Sequence, residues 1–464
     1  MLEKNINDIK TSDYILEISR EYSIYVCEHR AIPHLADGLK SSQRKMLWIM
    51  RNKKDKIKTI SLAGEAISEG LYLHGDQSAS QTISHLAAPF CNNFPLLTGI
   101  GSFGSLIDPY SFGAPRYTYV KKNTFTDKVL YADLDIVPLV ENYDGSNLEP
   151  RHFLPLLPIV LLNGVSGIAV GWSSEILPRS LESLIDSVAK VLTEGKAEEI
   201  PPKYEYLDLN YKRIGENIWE FQGKIEKKDS STVIVKSLPP ELTLSDFKER
   251  LNSLEEEGKI QNYVDNSTEN INITIKFRKG HIQNWNEEKI IEFLKLRTRK
   301  TERIVVVDFN GNSIKQYDNV KTLVEDWVNW RLGFYVKRYE KKLKECEEEL
   351  EYWMALRKCF EKRILQFILK CKNKKEVLEV FRKIVGNISE ENLERITNLP
   401  TYKWNEEFHE EIKSKITQLK DKVQEYSDLL SDNNNEKSLD KLKKIFLKEI
   451  MELKNLFCSR KNKS

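Results

Sequence analysis

The sequence predicts an α+β multidomain chain: a winged-helix domain, a mixed α/β domain, and a long antiparallel coiled coil carrying a small helical globular domain. Three observations lead there. At 464 residues the chain exceeds what one hydrophobic core usually serves, so roughly two to four domains are expected. Its composition changes three times from one end to the other. The apolar period changes with it, from short helical patterns through alternating runs to long stripes spaced by three and four.

Residues 12–30 read as an amphipathic helix capped by Thr11 or Ser12, with Ile15, Ile18, Tyr22 and Tyr25 recurring near helical spacing. After a turn around Pro33 and Gly38, a second helix starts near Ser41 or Ser42 and carries Met46, Leu47 and Met50 inward. Short helices follow near 59–68 and 76–88, and the Gly-rich stretch 99–113 precedes strands. Three short helices followed by strands resemble a winged helix-turn-helix, which can seat one helix in the DNA major groove. In the 76–88 helix, Ala79, Ile83, Leu86 and Ala87 fall on one face and Gln77, Ser80, Gln81 and Ser84 on the opposite one. A polar yet uncharged face suits contact with DNA, and a buried protein interface equally well.

Residues 146–315 are mixed, with a Pro-rich entrance, the Gly-rich NGVSGIAVG at 163–171, and strand-like runs such as STVIVKSL and INITIKF. From about Asn319 the chain turns helical and highly charged. Leu343, Cys346, Leu350, Trp353, Phe360, Ile364 and Phe367 keep the 3/4 spacing with one gap at Arg357, and Ile412, Ile416, Leu419, Val423, Tyr426 and Leu430 keep it without a lapse. The intervening 371–410, with Pro400, is expected to be a globular knob between two strands of a coil. The expected boundaries are therefore 1–28, 29–145, 146–315 and 316–464.

The formal charge is only +2, from 72 basic and 70 acidic residues, so net charge does not by itself announce a nucleic-acid binder. Locally the balance differs: Lys40–Lys58 holds eight Lys or Arg against the single acid Asp55. Such a run is either a solvated face or a binding strip. The six cysteines are scattered without a CxxC pair, which points to free thiols, a reducing compartment and no metal site in this chain. The start MLEKNINDIKTSD lacks the apolar core of a signal peptide, and FLPLLPIVLL at 153–162 is short and broken by prolines. A cytoplasmic protein without a membrane role is expected.

The stretch GAPRYTYV at 113–120 sets Arg116 and Tyr117 behind a loop rich in Gly and Ser. A phenol, with a pKa near 10, is a poor nucleophile at neutral pH without help. A neighbouring guanidinium can favour the phenolate and hold a phosphate through paired hydrogen bonds. From local residues alone a structural tyrosine is the commoner reading. Tyr119, two residues on along a strand, should share the face of Tyr117.

Six separated stretches, HRAIPHLADGLKSSQRKML (29–47), LHGDQSASQTI (73–83), GIGSFGS (99–105), APRYTYV (114–120), ENYDG (141–145) and NGVSGIAVG (163–171), resemble in the same order the DNA breakage-and-rejoining subunit of type IIA topoisomerases, the gyrase A and topoisomerase IV C group. Within that family the likeness is strongest to the phage medium-subunit branch, including VVVDFNGNSIKQYDNV at 305–320. The resemblance implies an arm at 1–28, a winged-helix DNA-gate domain at 29–145, a tower at 146–315, and a coiled coil with an exit-gate dimerisation knob at 316–464. It also implies that Tyr117 attacks a phosphodiester to form a 5′-phosphotyrosyl link and free a 3′-hydroxyl. Arg116 and Arg30 would stabilise the pentacovalent phosphate, and His74 would add a donor at the mouth of the following helix. Lys40, Arg44 and Lys45 match positions that grip backbone phosphates; Gly75, Ser80 and Ser166 match DNA-contacting positions; Ile168 matches a wedge that bends the duplex by entering the base stack.

The departures also carry information. Tyr72 and Gln43 stand where bacterial relatives have His, so proton-relay roles do not carry over there. Gln77 and Gln81 stand where bacterial gyrases usually have Ser and an acid that anchor quinolones through a metal ion and its waters. The sequence shows no acidic cluster of Toprim type and no ATP-binding fold. The resemblance therefore implies a homodimer on double-stranded DNA that works only with partner subunits bringing the Toprim Mg2+ site and the ATPase, with the helix at 12–28 as the contact. A non-catalytic architectural DNA-binding protein is the alternative.

Overall fold

Helix α1 (Thr11–Val26) passes into one widened turn, Cys27–Ala31, where Ile32 N–H bonds to Cys27 O at 3.2 Å. The expected single helix over 12–30 thus ends in a π-type turn, a feature frequent at functional sites. Pro33 explains the stop: the residue before a proline is driven out of the helical region, and Ile32 is extended at φ −92, ψ 132. Gly38 then turns the chain at φ 68, where a Cβ would stand 2.2 Å from Val160 N. In this computed structural model residues 11–458 are described, apart from 106, 143–144, 269, 387 and 431–435 and the side chains of 11–13 and 436–437. Residues 1–10 of the expected arm, the cap at Thr11 or Ser12, Tyr143 and Asp144 of ENYDG, and Asn387 of the expected knob lie outside that description.

Helix α2 (Ser41–Met50) begins with Gln43 Oε1 accepting the Lys40 N–H at 3.0 Å and buries Met46, Leu47 and Met50 completely. Then come β1 (Ile57–Lys58), α3 (Thr59–Ser68), α4 (Asp76–Ala87), β2 (Leu97–Ile100) and β3 (Tyr119–Lys122). Helices α2, α3 and α4 pack on one another, and the strands form an antiparallel sheet in the order β1-β3-β2, with Ile57 and Gly99 flanking Val120. Next, β4 (Leu139–Glu141) pairs with β5 (Leu148–Pro150), and α5 (Ile159–Asn163) leads into the hairpin of β6 (Val165–Ile168) and β7 (Ser173–Ile176). Helix α6 (Leu181–Glu194) is capped by Ser180 Oγ, which accepts the Ser183 N–H at 3.2 Å.

The following segment alternates strands and helices: β8 (Leu209–Arg213), β9 (Ile218–Gly223), β10 (Ile225–Lys227), β11 (Thr232–Val235), α7 (Leu244–Glu256), β12 (Asn262–Asp265), β13 (Ile273–Lys276), α8 (Glu287–Leu294), β14 (Arg297–Thr301), β15 (Ile304–Val307) and β16 (Ile314–Tyr317). They form a sheet β10-β11-β13-β12, a sheet β14-β9-β8 and a hairpin β15-β16. The inward residues Val233, Val235, Ile273 and Ile275 meet Phe247 and Leu251 of α7 and Ile290 and Leu294 of α8. Each such fully buried side chain contributes about 1.5–3 kcal/mol. A buried pair, Arg179 Nη2 to Glu302 Oε2 at 2.7 Å, ties the start of α6 to the end of β14.

The chain forms two compact units, residues 1–329 with 449–464, and residues 330–448. The second unit takes most of α9 (Val320–Glu361), then α10 (Leu365–Ile368), α11 (Lys374–Val385), α12 (Glu390–Thr397), α13 (Glu406–Leu430) and most of α14 (Glu436–Phe457). Its core joins Leu356, Cys359 and Ile364 to Phe381, Ile396, Ile412 and Ile416. Leu356 and Cys359, fully buried, fill the stripe that lapsed at Arg357. Phe367 is a correction: it is 49% exposed, because α9 ends at Glu361 and Arg363 turns the chain at φ 51, which breaks the helical period before residue 367. In the first unit, the end of α14 sets Phe457 against Phe94 and Phe125. Mixed α+β is thus the class of the structure.

Candidate active site

Tyr117 sits in the turn that enters β3. The turn is fixed from several sides: Tyr117 N–H bonds to Ala114 O at 2.9 Å, Ile60 N–H to Pro115 O at 3.2 Å, Gly113 N–H to Ser102 O at 2.9 Å, and Thr59 Oγ1 lies 2.8 Å from Thr118 Oγ1. On this pinned backbone the Tyr117 side chain is 70% exposed, and the Arg116 guanidinium lies 4.7 Å from its ring centroid. The expectation that Tyr117 and Tyr119 share a strand face is corrected, since β3 begins only at Tyr119. Tyr119 instead lies under the Lys56 ammonium, 5.1 Å from the ring centroid.

Arg30, His74 and Lys45 gather on the wall of a cavity of about 650 Å3 that Tyr25, His29 and Tyr72 also line. The widened turn presents Arg30, whose Nη2 donates to His74 Nε2 at 3.4 Å and whose Nη1 donates to the Tyr22 hydroxyl at 3.3 Å. Burial, then the charges of Arg30 and Lys45, lower the His74 pKa, in keeping with a neutral ring that accepts from Arg30. Tyr72 holds that ring edge-on, 5.4 Å between centroids, and anchors its own hydroxyl on Ser78 Oγ at 2.9 Å. His74 directly precedes Gly75, the extended residue that caps α4, so exposed amides and a positive helix end lie beside it. Lys45 pairs with Glu149 at 2.9 Å. Neither Tyr117 nor Arg116 is among the described residues lining this cavity.

Two basic or polar expectations change. Arg44 does not face outward: both arms of its guanidinium hold Asp37, Nε–Oδ2 at 2.7 Å and Nη2–Oδ1 at 2.9 Å, in a buried site, so it is engaged internally and unavailable to a phosphate. Burial pushes the Asp37 carboxyl up, but Arg44, His34 and the Phe153 N–H outweigh it and hold the group below the usual carboxylate value. Ser80 is buried, as is Ser84, because α4 packs against both α3 and α2; Ser84 Oγ donates to Ser80 O at 2.9 Å. Only Gln77 and Gln81 of the expected polar face are exposed. Lys40 directs its ammonium to Ser166 O at 2.8 Å, and burial lowers its pKa from the ordinary lysine value.

Ile168 closes β6 at the tip of the β6–β7 hairpin and is 85% exposed, with Val170 and Trp172 exposed beside it. Sequence reasoning missed the Asp37 partner of Arg44, the Glu149 partner of Lys45 and the presence of His29 in the cavity. An aspartate one residue before a turn glycine, with an arginine on the first helical face that follows, was the available signal for the first. Among the described residues no group of three or more His, Cys, Asp or Glu side chains could hold a metal ion, and no helix is long and apolar enough to cross a membrane.

The family model for the A-type subunits of DNA gyrase and topoisomerase IV matches residues 30–444. The DNA topoisomerase medium subunit of Enterobacteria phage T4 is 32% identical over 378 residues, covering 78% of this chain and 83% of its own length. DNA topoisomerase 2 of Candida albicans is 28% identical over 408 residues, 85% of this chain and 27% of its own length, so the chain spans under a third of that relative. A crystal structure of the Plasmodium falciparum topoisomerase II DNA-binding, cleavage and re-ligation domain superposes with a TM-score of 0.83 at 26% identity, covering 97% of this chain and 66% of that one. The chain belongs to the family of the DNA gyrase and topoisomerase IV A-type subunits.

Proposed function

We propose that this chain is the DNA-cleaving and rejoining subunit of a type II topoisomerase, an ATP-dependent isomerase. The observation that carries the reading is Tyr117, exposed on a backbone fixed by α3 and the Gly-rich loop, with Arg116 against its ring. In the reaction the Tyr117 Oη–phosphorus bond forms as the phosphorus–O3′ bond breaks; the phenol gives up its proton and the 3′-oxygen gains one. The ester is exchanged rather than hydrolysed, so the break can be resealed without a fresh energy source. Arg116, Arg30 and His74 supply donors to the crowded phosphate.

In this reading α2–α4 and the β1-β3-β2 sheet are the winged-helix DNA-gate domain at 29–145, the strands and helices of 146–315 are the tower, and 316–464 form the coiled coil with the exit-gate knob. Lys45, Gly75, Gln77 and Gln81 face the duplex, and Ile168 enters its stack. Tyr117 and Arg116 are not among the described residues lining the cavity of Arg30 and His74, and in this reading each phosphate in the homodimer meets Tyr117 from one protomer and the Arg30–His74 pair of the other. The described residues do not fit a Mg2+ site. The ion is held by the Toprim-bearing partner, where it would stabilise the transition-state charge, and ATP by the ATPase-bearing partner; α1, with Ile15, Leu16, Ile18 and Tyr22 exposed, contacts them. Co-purification with such subunits, followed by relaxation of supercoiled DNA with and without ATP, tests the proposal. ATP-dependent relaxation is expected; a reconstituted complex that binds DNA and never changes its linking number would favour the architectural alternative.

A further inference from the structure

The β6–β7 hairpin and the widened turn Cys27–Ala31 meet backbone to backbone. A Cβ at residue 167 would stand 2.0 Å from Ala31 O and 3.4 Å from Lys40 Nζ, so the closeness of the two segments depends on Gly167 having none. Lys40 closes the junction by donating to Ser166 O at 2.8 Å. Cys27 Sγ reaches Val170 O at 3.7 Å, and Ala31, Ile32, Val305 and Val307 pack with Ala169 into one apolar cluster. The two outward groups lie one residue from this junction: Ile168 follows Gly167, and Arg30 precedes Ala31.

We propose, on the DNA-gate reading above, that Lys40 and Gly167 clamp the Ile168 hairpin onto the turn bearing Arg30, so that entry of Ile168 into the duplex and placement of Arg30 at the phosphate are one coupled event. Lys40 is then a positioning residue rather than a phosphate contact. The residue is half-buried, and its ammonium is already bonded to a carbonyl whose strand carries the wedge. A hairpin displaced by the bending duplex draws Ala31 with it, because their backbones touch with no side chain between them to absorb the movement.

The test uses the full chain on a duplex with a dye at each end, and the same chain reconstituted with its partner subunits for adduct formation. Lys40→Met should lower both bending and Tyr117 adducts by about tenfold, the effect of losing one charge-assisted hydrogen bond. The slope of log affinity against log salt should not change; a fall of about 0.9 would mark a lost phosphate contact and overturn the proposal. Lys40→Met combined with Ile168→Ala should lose no more than Ile168→Ala alone, and losses that multiply would also overturn it. Gly167→Ala, which leaves every charge in place, should reproduce the Lys40→Met loss. If the Lys40→Met chain does not fold, the Gly167→Ala and Ile168→Ala cycle decides by the same criterion. Failure of the unsubstituted chain to bind DNA would overturn the DNA-gate reading itself, a different result from any of these.

Discussion

The Arg30 guanidinium stands 3.4 Å from the His74 imidazole, on a cavity wall that includes neither Tyr117 nor Arg116 among its described residues. If each phosphate is served by two protomers, a heterodimer of Tyr117→Phe and Arg30→Ala chains keeps one intact site and loses the other. Nicked circles, with one strand cut, are then expected from the mixed preparation and from neither homodimer. No nicking above the homodimer level would place both groups in the same protomer.

Arg44 and Asp37 are buried as a pair, and removing either partner strands the other charge away from water. Arg44→Ala or Asp37→Ala should cost about 3–5 kcal/mol of stability. The exposed Arg116→Ala should change it by less than about 0.5 kcal/mol. Urea unfolding distinguishes these, and equal midpoints for Arg44→Ala and Arg116→Ala would contradict the structural role given to Arg44.

His34 and His152 lie buried with ring centroids 5.2 Å apart, His34 Nδ1 accepting the Ala36 N–H at 3.2 Å and His152 Nδ1 bonding with Phe153 O at 3.0 Å. Burial lowers both; Arg44 and Arg151 lower them further against the opposing Asp37, and His152 is brought down to about 4. Because the folded values lie below the unfolded ones, their neutral forms favour the fold above pH 6.5, and that stability is lost as pH falls from 6.5 towards 4. For His152 the loss amounts to roughly 3 kcal/mol. A His152→Gln chain should therefore show a flatter stability profile across that window, measured by denaturant unfolding at each pH. An unchanged acid slope would contradict this.

Gln77 and Gln81 are exposed on α4; on the proposed reading they occupy the positions where a hydroxyl and a carboxylate would anchor a metal-bridged quinolone, and each presents an amide instead. Trapping of cleaved DNA should need high drug concentrations, and Gln77→Ser with Gln81→Glu should lower them. Efficient trapping of the unsubstituted protein at low concentration would contradict the reading.

Much of the architecture was legible because local rules agreed with tertiary packing. Helices α2–α4 follow their apolar spacing and flanking Gly and Pro, and the alternation in Thr232–Val235 and Ile273–Lys276 became paired strands. The failures came where packing decides. Arg44 reads as one of a basic run whether it faces a phosphate or an aspartate seven residues earlier. Ser80 and Ser84 look like a polar face, yet small hydroxyls can be buried when the helix backbone satisfies them, as Ser84 does. Phe367 fits a helical period that ends at Glu361. Tyr117 was singled out by the ordered resemblance of six stretches and not by its immediate neighbours, whereas the pinning of its turn by Thr59 and Ile60 is a long-range contact that no local pattern encodes.

End-labelled duplex incubated with the reconstituted complex and Mg2+, then denatured with detergent and resolved on a gel, reports whether DNA has become attached to this chain. Labelled chain is expected from the unsubstituted protein, linked through Tyr117 to a 5′-phosphate, and none from Tyr117→Phe although that variant still binds DNA. Labelled adducts persisting at the same level in Tyr117→Phe would contradict this.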